Sequence, residues 1–234
     1  MAAIIKKELV SYFKNPIGYI VIGAYSLITG IFFVISVISN MQTYMGTYFG
    51  TYMYFANLIL VALISFKFFS EEKKNGTDTL LLTSPVKVSG LVLGKFVSGA
   101  VIFTAATLVN IIYVLLICMF GTVYTGEFIM QMLGSLLIGY SMIAVALFIS
   151  SVTDNQIGTV AATSAVLLLM FIIDSISRLL PPLIGVPLSY LSLYSRFSDF
   201  AIGLFNPAPT VYYLSVIAVF LFLTVRMIEK RRWA

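Results

Sequence analysis

Few residues in this chain could do covalent chemistry, and those few are poorly placed for it. The 234 residues include no histidine and one cysteine, Cys118, which sits in an apolar run. A Ser-His-Asp relay, an imidazole metal site and an intrachain disulfide each need residues that are missing. Cys118 reads as a small packing residue. Adjacent carboxylates, the pattern that general acid–base work would require, occur once, as Glu71-Glu72, and Lys73-Lys74 follows them directly. Gly90-x-x-x-Gly94-Lys95-Phe96 approaches a phosphate-binding loop. It has one residue too few between its glycines, and it places Phe96 where Mg²⁺ needs a hydroxyl. Lys95 reads instead as an anchor at the membrane interface. No catalytic residue, no metal ligand and no cofactor of its own is expected, which excludes ATP hydrolysis by this chain.

The elements that carry these residues are apolar. Hydrophobic residues make up 60% of the chain and charged residues 10%, too little charge to coat a water-facing surface. The pattern reads as an all-α membrane protein of six transmembrane helices in a single domain, 1–234. The spans are expected at Ile17–Ser39, Tyr54–Phe69, Lys95–Phe120, Phe128–Ser151, Ile157–Leu180 and Thr210–Met227, each near the length that crosses a bilayer. Lys67 lies within the second span, near its end, where its ammonium can snorkel to the interface. Residues 1–15 read as an amphipathic interfacial helix, with Ile5, Leu9, Tyr12 and Phe13 turned to lipid and the lysines to phosphates. The first apolar run is too long for the core of a cleaved signal peptide, and no small-residue cleavage site follows it.

Orientation follows from the basic residues. Of the 14 lysines and arginines, all but Arg178 and Arg196 fall on one side of the six spans. That bias places both termini in the cytoplasm of a cell-membrane protein, and it argues for lipid phosphates as neighbours of the basic residues. No nucleic-acid partner is expected. Residues 181–209 form a long segment on the other side, rich in proline and apolar residues but too short to span twice, and read as interfacial or re-entrant helix. In the first outer loop Tyr44, Tyr48 and Tyr52 recur every four residues, the spacing of one helix face or of alternate strand positions. They read as an interfacial aromatic belt or, alternatively, as a substrate-contacting patch.

The informative segment is the cytoplasmic loop, 71–94. Glu71, Glu72, Lys73 and Lys74 concentrate charge at a helix end, and Asn75-Gly76 breaks the helix. Thr77 can cap a short following helix whose Leu80, Leu81 and Leu82 form an apolar contact, and Pro85 ends it. Physically this is either a docking knob for a partner or an amphipathic connector resting on the membrane. The turn at Ser150–Gln156 carries Asp154, which either caps the fifth helix or makes a second partner contact. Asn57 and Asn110 lie within spans, where each either bonds a neighbouring helix or lines a pathway. Asp174 and Arg178, at i,i+4, form a structural pair.

The run Glu71-Glu72-Lys73-Lys74-Asn75-Gly76-Thr77, with Leu80-Leu81-Leu82, Ser84-Pro85 and Gly94-Lys95, resembles the loop of type 2 ABC exporter permeases, the ABC-2 family. The N-terminal Lys7-Glu8-Leu9 and Tyr12-Phe13-Lys14-Asn15-Pro16 resemble the same family's interfacial helix. Within it the chain is most similar to the gliding-motility-type permeases, and it departs from the pattern at Asp78-Thr79. The resemblance implies a permease subunit, homo- or heterodimeric, with separate ABC ATPase subunits that bind ATP and Mg²⁺ and dock on this loop. An outer accessory protein is a further partner it leaves room for. Two alternatives remain: a subunit that transmits ATP-driven motion to an outer partner without transport, and an integral membrane enzyme.

Overall fold

Backbone amides in a bilayer find no water, so an apolar run must bond its own amides by forming helix. The structure, a computed structural model, describes residues 2–14, 16–41, 44–74, 76, 87–121 and 124–233. Among these residues there is no strand, and six helices are long and apolar enough to cross a membrane. The protein is an all-α, multi-pass membrane protein.

Helix α1 (Ala2–Lys14) precedes the first span, α2 (Ile17–Phe33), which continues through a π-turn at Val34–Ile38. The second span begins with a π-turn at Tyr48–Tyr52, runs through α3 (Met53–Ser65), bends, and ends as α4 (Phe69–Lys74). The third is α5 (Val88–Thr107) followed by α6 (Val109–Phe120), and the fourth is α7 (Thr125–Val152). The fifth is α8 (Gln156–Leu179). Two short helices, α9 (Pro182–Ser189) and α10 (Ser198–Ala201), lead to the sixth span, α11 (Pro207–Trp233).

The second and fourth spans are the most enclosed, and the fifth and sixth the least. Small residues on α7 allow this: a Cβ at Gly139 would collide with the Phe103 ring of α5, and one at Gly134 with Phe200 of α10. Without a hydrophobic force between helices in lipid, such close approach supplies the packing energy. The apolar segment 192–201 turns inward, burying Leu193, Phe197 and Phe200. Its backbone is held there by Tyr213, whose hydroxyl donates to the Leu193 carbonyl at 2.8 Å, and by Gln131, which donates to the Ala201 carbonyl at 2.8 Å.

Several expected details change. The second span starts at the π-turn rather than at Tyr54, so Tyr48 is fully buried and its ring meets Phe33, Phe49 and Tyr113 edge-on. Tyr48 therefore belongs to the core, not to an interfacial belt. The third span starts at Val88, so residues 88–94 of the expected loop are helix. Cys118 is exposed on the bundle surface instead of packed inside. Finally, α1 turns Tyr12 into the bundle, where its hydroxyl donates to the Ile64 carbonyl at 3.0 Å. Lys67 does not snorkel outward. It is 2% exposed beneath α1, donating to the Ser11 carbonyl at 3.0 Å and lying over the Tyr12 ring.

Candidate functional site

The charged residues of the loop sit at the end of the bundle that carries both termini, and they divide into two clusters. The first centres on Lys95 in α5, whose ammonium is 3.0 Å from Glu8 of α1 and 3.0 Å from Glu72 of α4. Lys7 adds a longer contact to Glu72, at 3.7 Å. The Lys95 side chain is 1% exposed. An ammonium so deeply enclosed is tolerable only with carboxylates arranged around it, and two are supplied, from elements far apart in sequence. Lys95 thus ties α1, α4 and α5 together.

The second cluster lies across the fourth and sixth spans. Lys73 donates to the carbonyls of Ser150 at 3.4 Å, Ser151 at 2.9 Å and Thr153 at 2.5 Å. These carbonyls close the C-terminal turn of α7, which lacks intrahelical donors and carries the negative end of the helix dipole. The Lys73 ammonium is therefore a cap delivered from another helix. It also lies 3.4 Å from Asp154, which Arg231 of α11 meets from the other side at 3.1 Å. The Arg231 hydrogen bond, then the Lys73 charge, hold the Asp154 carboxyl below the ordinary aspartate range.

The expectation that Asp154 caps the fifth helix is corrected: Asn155 does so, its Oδ1 accepting from the Gly158 amide at 2.8 Å. One residue earlier, Asp154 faces the two cations instead. Glu71 is half-buried and Lys74 exposed on α4. Gly76 adopts φ +67° and donates its amide to the Lys73 carbonyl at 3.1 Å, a left-handed helix exit that favours glycine. Thr77, Leu80, Leu81, Leu82 and Pro85, with the short helix expected there, lie outside the described residues.

Within the bundle, Asn57 of α3 accepts from the Tyr25 hydroxyl of α2 at 3.1 Å and donates to the Ser135 hydroxyl of α7 at 3.1 Å. Asn110 of α6 accepts from the Tyr48 hydroxyl at 2.6 Å and donates to the Thr107 carbonyl at 2.8 Å. Each bonds a neighbouring span, as one of the two readings of these residues expects. Asp174 and Arg178 form their pair at 3.0 Å. Among the described residues no group of three His, Cys, Asp or Glu side chains converges in a way that could hold a metal ion.

Sequence reasoning missed the roles of Glu8, Lys67 and Arg231. Glu8 carried a signal, as a lone acid on an otherwise basic, apolar helix; Arg231 did not stand out among the basic residues of the tail. The geometry is that of a mechanical junction: a loop whose two flanks are clamped by ions to different spans. Among curated proteins, none matches the sequence. A family model described as ABC-2 family transporter protein matches residues 4–197, most of the chain. The chain therefore belongs to the ABC-2 family of membrane transport components.

Proposed function

We propose that this chain is the permease half of an ATP-driven exporter in the cell membrane, with both termini in the cytoplasm. It works as a homo- or heterodimer with separate ABC ATPase subunits, which bind ATP and Mg²⁺ and hydrolyse the nucleotide. The ATPase docks on residues 71–94. Leu80, Leu81 and Leu82 provide the apolar face of a short helix that Thr77 caps and Pro85 ends, seated in a groove of the ATPase. Glu71, Lys74 and their neighbours set its register rather than its affinity, and Asp154, in the turn between the fourth and fifth spans, makes a second contact with the ATPase.

The observation that carries this reading is the double clamp at the base of the loop. Lys95 holds the loop's flanks, α4 and α5, to α1, and Lys73 holds α4 to the end of α7 and, through Asp154, to α11. A push on the loop would therefore reach α1 and the second, third, fourth and sixth spans together. No bond-breaking step is asked of this chain; its part is to change shape.

The test is recovery of the ATPase on the tagged permease. Burying two leucines is worth about 3–5 kcal/mol before costs, so losing both should weaken docking by orders of magnitude. Leu81→Asp with Leu82→Asp should abolish ATPase recovery at equal permease expression. Undiminished recovery would mean that the loop rests on lipid and does not dock.

A further inference from the structure

At the end of the bundle opposite the termini, α8 and α9, with Ser195, border an open cavity of about 380 Å³ at the surface. Its wall holds Asp174 and Arg178, one helical turn apart on α8 and 3.0 Å from each other. The two differ sharply in depth: the Asp174 side chain is 6% exposed and that of Arg178 67%. The negative pole is thus deep and the positive pole at the mouth. The hydroxyls of Ser177 and Ser189 are turned back onto the carbonyls of Asp174 and Val186, at 2.8 Å each. On the same two helices, Leu179, Leu183 and Ile184 are exposed apolar side chains.

A buried carboxylate at the end of a membrane span is costly and marks a candidate binding site. Among the described residues Arg178 is the one cation within ion-pair distance of Asp174. The guanidinium has five N–H donors, so a single carboxylate contact leaves most of them available. A simple anion entering here would meet Asp174, and a simple cation would meet Arg178 first. A zwitterion whose cation leads and whose anion follows meets neither obstacle.

We infer that this cavity binds the headgroup of an aminophospholipid such as phosphatidylethanolamine. The terminal ammonium donates to the deep Asp174 carboxylate, the phosphodiester lies against Arg178 at the mouth, and the acyl chains run along the exposed apolar residues of α8 and α9. The order of charges in the headgroup, ammonium outermost from the glycerol, matches the order of charges with depth. A primary ammonium suits the buried carboxylate because it offers N–H donors that a quaternary choline lacks. The site holds for either orientation of the bundle and does not depend on what the protein exports.

Native mass spectrometry of delipidated protein tests this. The protein is titrated with dioleoyl phosphatidylethanolamine, phosphatidylcholine and phosphatidylglycerol, and with water-soluble glycerophosphoethanolamine. The ethanolamine lipid should bind about tenfold more tightly than the other two lipids, the scale of one charge-assisted contact. Arg178→Gln should remove that preference, and Arg178→Lys, which keeps a cation beside the buried Asp174, should restore part of it. Asp174→Asn should level ethanolamine with choline. Equal binding of all three lipids by the native chain, or a preference untouched by Arg178→Gln, overturns the site. Binding of glycerophosphoethanolamine as tightly as the lipid overturns the lipid assignment.

Discussion

Lys95 is enclosed at the end of the bundle, with two carboxylates 3.0 Å from its ammonium. Replacing it with methionine would remove the cation and leave Glu8 and Glu72 facing each other with little water. Lys95→Met should therefore lower stability by about 3–5 kcal/mol, read as a fall in the thermal unfolding midpoint in detergent. Adding Glu72→Gln should recover much of the loss, since only one carboxylate then remains. An unchanged midpoint in the single variant would show that the cluster contributes no stability. Asp154 behaves differently because its side chain is 81% exposed. Its folded carboxyl is held low by Arg231 and Lys73. What its contacts contribute is present above the ordinary aspartate range and is lost as pH falls through the folded value. A nitroxide at Lys230→Cys, with Cys118→Ser, should stay immobilised down to the ordinary aspartate pKa of about 3.9 and loosen only below it. With Asp154→Asn it should be mobile at every pH.

At the scale of elements, Gly76 is where α4 ends. Its φ of +67° costs a residue with a Cβ about 1–2 kcal/mol, and asparagine visits that region more readily than alanine. Gly76→Asn should leave ATPase recovery close to native, and Gly76→Ala should reduce it. Gly76→Pro should keep recovery only in part and uncouple ATP hydrolysis from transport, because proline is held near φ −65° and lacks the amide that bonds the Lys73 carbonyl. Equal recovery across the series would mean that the exit angle of α4 does not set where the docking helix sits. The π-turn at Tyr48–Tyr52 teaches a related lesson. A four-residue tyrosine spacing suggested a helix face at the interface, but one widened turn carries Tyr48 to the core, where its hydroxyl meets Asn110.

For the whole molecule, the proposed topology is tested by cysteine labelling in intact cells with Cys118, itself exposed, replaced by serine. Ser198→Cys, exposed in the segment before the sixth span, should react with a membrane-impermeant reagent added outside, and Lys230→Cys only after permeabilisation. The reverse pattern would invert the assignment of termini to the cytoplasm. Ser192→Cys should stay unlabelled from either side in the folded protein, because that position is fully buried beside Leu193. The connection before the sixth span is therefore partly core, and accessibility at Ser192 reports packing rather than sidedness.

What the sequence by itself determined is the set of spans and the family pattern of the loop. Backbone hydrogen bonding in lipid is a local demand, met within each apolar run, so run length alone marks a helix. The charge cluster at Glu71–Lys74 was legible as a special site for a similar reason: charge at the end of an apolar run is conspicuous. Only the tertiary structure decided the partners. Glu8 and Lys95 are 87 positions apart, and Lys73 reaches the carbonyls that end α7 some 77 to 80 positions further on. Which residue of Asp154-Asn155 caps a helix and which meets two cations depends on where α4 and α11 come to rest. Ion pairing at such separations follows from how helices pack, and packing is set by close contacts such as Gly139 on Phe103, which no single run of sequence displays.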